Sequence, residues 1–251
     1  VRRALYFLGE IAALPEHIDT LVSDARARGD LFTEANLSCG VGSAARLLRD
    51  QPEEARAASA AAMNKWSQSG FHVQHFFLVH GDTEAYLYQG DGPSALRLTA
   101  EFWPALKRSL LLHVHYVRVA MLFTRGRAAV ASAATAAESE RRALFRRASA
   151  DAASLEREGA AWASLFATLI RASAAGLRGD RQSSVGELER AQQIAAQADM
   201  RLHGAAVSYA LGRCVGDDRG AQLCSAAIAW MREQKIVAPE RVVNMLIPGT
   251  V

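Results

Sequence analysis

The clearest pattern of apolar and polar positions lies in residues 71–105. Phe76, Phe77, Val79, Ala85 and Leu87 recur with a helical period rather than by strict alternation. Gly90 and Gly92 interrupt that pattern. Pro93 follows at a place where its missing N–H costs nothing, the first turn of a second helix. The stretch predicts two helices joined by a tight turn at residues 89–92. Such a hairpin cannot bury its apolar face alone, and further copies are expected on either side.

The remaining pattern supplies them. Residues 1–13 predict a helix closed by Leu14 and Pro15, followed by a second over 16–28 with Ile18, Leu21, Val22 and Ala25 on one face. Gly29 ends it, and Asp30 can cap a third over 31–49. An alanine-rich helix is expected over 53–66, broken by residues 67–70. Beyond the central hairpin, 106–137 predicts the longest helix, with a kink near Gly126. Helices then follow from 138, over 160–177, 181–198, 203–214 and 222–234, and a short one opens at Pro239 and stops at Pro248. No run alternates in the manner of a strand, so the fold class is all-α.

A period is visible in the turns. Acidic residues fall at Asp50, Asp91, Glu138, Asp180 and Asp217, in steps of 41, 47, 42 and 37 residues. Gly90 with Ala95, Gly179 with Ser184 and Gly216 with Ala221 repeat one local pattern. The glycine permits the turn, and the small residue five positions on lets the second helix approach the first. Tyr86, Gly90 and Ala95 match the tetratricopeptide repeat, which the chain resembles over most of its length. The steps exceed the usual period of about 34, and the Trp, Leu-Gly and terminal Pro positions are mostly missing, so the copies are degenerate. The resemblance implies a single domain over residues 1–251, an α-solenoid with a right-handed superhelix of five to six helical hairpins. Residues 66–75 (WSQSGFHVQH), 87–92 (LYQGDG) and 103–112 (WPALKRSLLL) resemble the C-terminal helical-repeat region of large bacterial serine/threonine protein kinases. That resemblance implies a regulatory tail. No kinase residue carries over, because the His-Arg-Asp loop, the Asp-Phe-Gly motif and the Gly-rich loop have no counterpart here.

Composition narrows the reading. The 251 residues are 50% hydrophobic and 22% charged, with a net charge of +3. The basic residues are nearly all arginine, the lysines being Lys65, Lys107 and Lys235, and they form no dense cluster that would mark a nucleic-acid footprint. Cys39, Cys214 and Cys224 are widely spaced and odd in number, which suggests a reducing, cytoplasmic setting without a disulfide framework. No stretch reaches the roughly 18 apolar residues of a membrane span. The chain opens on Val, and the expectation is that it is a fragment of a larger multidomain protein.

Candidate chemistry is sparse. His72, His75, His80, His113, His115 and His203 are the most suggestive set, yet zinc needs three or four ligands converging. Solvated histidines are the simpler reading. Gly40 and Gly42 lack the preceding strand of a dinucleotide loop and read as close helix packing. Nothing marks a nucleophile elbow or paired carboxylates, so neither a catalytic group, a metal nor a cofactor is expected. The tryptophans and cysteines read as packing residues.

A groove remains. In stacked hairpins the first helices line a concave face. Anchoring on Tyr86 places Phe77, His80, Glu84 and Tyr88 there, with Asn36, Cys39, Arg127, Phe166, His203 and Arg213 at corresponding positions in other copies. This mix suits a protein or peptide partner, or upstream domains of the same chain. The expected function is a non-catalytic interaction and regulatory module. The alternative is a domain that senses a small-molecule effector, as in helical-repeat regions of some bacterial transcription activators. An enclosed apolar pocket with a few convergent polar groups would favour the alternative.

Overall fold

A computed structural model describes residues 5, 6 and 8–250. Among them the secondary structure is helical, without strands. The elements are α1 (Leu14–Ala27), α2 (Leu31–Asn36), a π-turn (Leu37–Val41), α3 (Gly42–Leu48), α4 (Pro52–Met63), α5 (Val73–Tyr88) and α6 (Gly92–Arg108). After a short 3-10 turn at Leu111–His113 come α7 (His115–Ala133), α8 (Glu138–Glu156), α9 (Ala161–Leu177), α10 (Arg181–Gln197), α11 (Arg201–Val215), α12 (Asp218–Glu233) and α13 (Pro239–Leu246).

Each helix from α3 to α12 packs on the next, and α3, α5, α7 and α9 also touch one another in succession. A contiguous apolar core follows this path from Ile11 to Ile247, with smaller clusters around Phe76 and around Cys39. Two described segments depart from the succession: the chain at Gly9, where an added Cβ would stand 2.8 Å from Arg201 of α11 and 3.0 Å from Trp230 of α12, and α13. The latter packs on α5 and α11, and only slightly on α12 before it.

Asp30 caps the next helix as expected, and three of the periodic turn acids do the same. Asp30, Asp91 and Asp180 each accept the backbone N–H three residues on at 3.0 Å, and Asp217 does so at 2.8 Å. Each satisfies one of the helix's unpaired donors. Two acids depart from the scheme. Glu138 lies inside the first turn of α8, where a negative charge favours the helix dipole. Asp50 adopts a left-handed φ of 60° and uses its carboxylate on other partners. The small-residue rule holds at Ala95 and Ser184, both buried, but fails at Ala221, which is exposed. There the close approach is one residue earlier: a Cβ on Gly220 would lie 2.5 Å from the Gly212 carbonyl oxygen.

Several expected boundaries move. Leu14 and Pro15 open α1 rather than close a helix, because proline suits a first turn. The helix expected over 1–13 lies partly outside the described residues; Leu5, Tyr6 and Leu8 are helical and the chain turns at Gly9. The expected helix 31–49 contains a π-turn, with Gly42 in a tight spot against the Leu37 carbonyl. The expected helix 106–137 does not begin at 106. α6 continues through Pro104 to Arg108, Leu110 takes a left-handed φ of 62°, and α7 starts at His115. α7 runs through Gly126 as one helix, and that glycine serves packing: a Cβ there would meet Ile170 of α9 at 2.5 Å.

Candidate functional site

The first helices present matched stripes to one shared pocket. On α5 the stripe is Phe77, His80, Gly81 and Glu84; on α7 it is Tyr116, Ala120, Phe123 and Arg127; α9 adds Trp162 and Phe166, and α11 adds His203. These are helical spacings of three, four and seven, which put side chains on one face. Gly40, Val41, Ala44 and Leu47 from the π-turn and α3, with Tyr6, Met245 and Leu246, complete the wall, and the cavity they leave is about 70 Å³.

Of the expected groove residues, Phe77, His80, Glu84, Arg127, Phe166 and His203 come together here. Asn36, Tyr88 and Arg213 do not line the pocket. Asn36 is half-buried at the end of α2. Tyr88 is buried, and its hydroxyl donates to Asp50 at 2.9 Å. Arg213 is exposed and borders a separate open cleft with Arg181 and Cys214. Cys39 belongs to a buried cluster with Ala35, Ala62 and Met63, and burial pushes its thiol up to about 12.

At the pocket's centre is Arg127, only 1% exposed. Its guanidinium makes a two-pronged ion pair with Glu84 and stacks 3.9 Å from the Phe123 ring centroid. Nη1 also donates to the Met245 carbonyl at 2.6 Å, tying α13 to α7. Nε is buried with no acceptor among the described residues. Phe123 stacks on Phe166 at 3.9 Å and 7°, and Phe166 meets His203 at 5.4 Å. Arg127, Phe123 and Phe166 thus form one continuous stack, with His203 tilted by 39° at its end.

Arg127 and Glu84 form an internally compensated charge pair in the pocket. Burial first, and then the charge of Arg127, push His203 down to about 3, so its imidazole is neutral at physiological pH. Burial, with Glu84 adding to it, raises the Tyr6 phenol above its ordinary value. His80 Nδ1 lies 2.9 Å from Thr124 Oγ1 and 3.8 Å from the Glu84 carboxylate. The expected reading of the histidines as solvated is corrected for His203, which is buried where α9, α11 and α13 converge with Arg127.

The other histidines have local roles. His72 is the N-cap of α5 and its N–H donates to His75 Nδ1 at 3.0 Å, while the Trp66 indole donates to His72 at 3.1 Å. His115 faces the Glu158 carboxylate at 3.3 Å and Trp162 edge-on. Among the described residues no group of three or more His, Cys, Asp and Glu converges as a metal site. None of the described helices is long and apolar enough to cross a membrane.

Tyr6, Tyr116, Phe123, Trp162, Met245 and Leu246 are wall residues that the repeat registration did not reach. Registering Tyr116–Phe123–Arg127 on Phe77–Glu84 would have found the α7 residues, and Trp162 lies one turn before Phe166. For Met245 and Leu246 the sequence carries no local signal.

The described residues form a succession of packed helices whose inner stripes line one largely apolar pocket. No family model, curated protein or solved structure matches the chain.

Proposed function

We propose that the chain is a non-catalytic, tetratricopeptide-like interaction module whose concave face receives a segment of a protein partner. The observation that carries this reading is α13, a helical segment already seated across the inner stripes of α5, α7 and α11 and held by Arg127. A face that binds one helix has the shape and chemistry to bind a protein segment. The regulatory tail of a bacterial serine/threonine kinase, working in the cytoplasm, is the setting that fits this reading and the resemblance of residues 66–112. A site-specific photo-crosslinker tests it, placed at Phe77 on the inner face and at exposed Glu101 on the outer face. Adducts to a discrete protein in source-cell lysate are expected from Phe77 alone. Adducts from Glu101 alone, or from neither, overturn the reading.

The aromatic cavity favours a second reading, an effector sensor. Arg127 Nε, buried without an acceptor, is a place for a ligand's carbonyl or hydroxyl. Against it stands size: about 70 Å³ is well below the roughly 300 Å³ at which small-molecule pockets begin. A small molecule retained through native mass spectrometry of the wild type, and lost from F166A, would put this reading first.

A further inference from the structure

α13 is attached in an unusual way. Eight residues are too few to be helical alone in water, so the helix exists because the stack supports it. Its apolar side is Val242, Val243, Met245 and Leu246, all at most 2% exposed. Its polar attachments lie at separate points. Val237 N–H donates to the Leu48 carbonyl at 3.0 Å as the chain approaches. Arg241 donates to Asp50 at 2.9 Å, the same carboxylate oxygen that accepts from Tyr88, and lies over the Tyr88 ring. At the far end Arg127 takes the Met245 carbonyl, one of the acceptors that the end of a helix leaves unpaired. The helix packs on α5 and α11, and the bonds at Leu48 and Arg127 add α3 and α7.

From these contacts we infer that α13 is an exchangeable occupant, and that the face beneath it is a docking surface for a short amphipathic helix of a partner protein. The inference rests on the interaction reading above and names the partner's chemistry. Such a helix carries apolar side chains in the pattern of Val242, Val243, Met245 and Leu246, a basic residue at the place of Arg241, and a terminal carbonyl free to meet Arg127. The receptor's polar groups are suited to persist without α13. Arg127 keeps Glu84, and Asp50 keeps Tyr88, so removing the helix strands no buried charge. The apolar gain from four side chains is of the same order as the cost of ordering eight residues, which is the balance an exchangeable segment needs. By contrast the stacked pairs close on sequence neighbours, whereas α13 reaches back 191 residues to find Asp50.

The test uses the full chain and a fluorescent peptide spanning residues 237–248. Hydrogen exchange on the wild type is measured first. The amides of α13 are expected to exchange at least ten-fold faster than those of α9, through an opening that leaves α9 closed. Exchange of α13 only together with α9 would make it a structural wall and overturn the inference, without needing any variant to fold. Peptide affinity is then compared between the wild type and R241E, which weakens the resident helix at an exposed latch. At least ten-fold tighter binding to R241E is expected, with no binding of a peptide carrying M245D. A peptide that binds neither chain, while α13 opens independently, overturns the partner class. Crosslinks from Phe77 would then still support the interaction reading.

Discussion

Arg127 of α7 and Glu84 of α5 form an ion pair at the centre of the shared pocket, with the arginine side chain 1% and the glutamate 12% exposed. The same guanidinium holds the Met245 carbonyl of α13. Removing one partner leaves the other charge desolvated and unpaired, which costs far more than the pair itself contributes. R127M is expected to destabilise the chain by about 3–5 kcal/mol. R127M/E84L, which removes both charges, is expected to recover at least half of that loss. Urea unfolding of the variants checks both. Equal loss in the single and double variants would mean that the carbonyl contact, not the charge, dominates.

His203 makes stability depend on pH with a definite sign. Its folded-state value is held near 3 by burial and then by Arg127, against about 6.5 when unfolded. Below about 6.5 the unfolded chain takes up a proton that the folded chain refuses. The stability present above pH 6.5 is therefore lost progressively as the pH falls toward 3. Between pH 7 and pH 4.5 the loss from this group is on the order of 2–3 kcal/mol. In H203F that part of the slope should be absent, and the difference between the two unfolding curves against pH isolates it from the carboxylates.

Much of the fold was legible because its determinants are local. Asp30, Asp91, Asp180 and Asp217 cap helices through bonds within four residues, and the apolar spacings on α5 and α9 set which faces turn inward. The joint at residues 109–114 was illegible because Leu110 takes the left-handed conformation without a glycine to announce it. Asp50 and Lys235 do the same. The pocket was half legible for a related reason. Phe77, His80 and Glu84 share one helix face, but the closure over them comes in part from Tyr6, Met245 and Leu246, which long-range packing alone brings there. The burial of Arg127 follows from that same closure.

Two glycines offer opposite outcomes for one substitution. Gly81 lies inside α5, where an added Cβ would stand 2.3 Å from the Cys39 carbonyl oxygen and 3.0 Å from Ser43. The Ser43 hydroxyl also donates to the Gly81 carbonyl at 3.2 Å, so the two helices are pinned at this point. Backbone cannot yield as a flexible side chain does, and G81A is expected to cost about 2–3 kcal/mol. Gly186 lies inside α10, exposed, with nothing within 4 Å of an added Cβ. There alanine gains helix propensity without a clash, and G186A is expected to stabilise by about 1 kcal/mol. Thermal unfolding followed by circular dichroism reads both signs.

Asp82 tests the opposite titration. It lies on α5 among partly buried groups, and burial pushes its carboxyl up to about 7, with Arg56 only partly opposing. Its Oδ1 is buried without a hydrogen-bond partner among the described residues. The unfolded carboxyl ionises near 3.8, so between about pH 4 and 7 the unfolded state gives up a proton that the folded state retains. The folded chain therefore loses stability as the pH rises through that window, and above pH 7 the penalty is constant. D82N removes the ionisation while keeping the shape of the side chain and a hydrogen-bonding amide. It is expected to be more stable than the wild type by on the order of 4 kcal/mol at pH 8 and equal to it at pH 4. A D82N variant less stable at pH 8 would show that the attraction between the ionised carboxylate and Arg56 outweighs the cost of burying it.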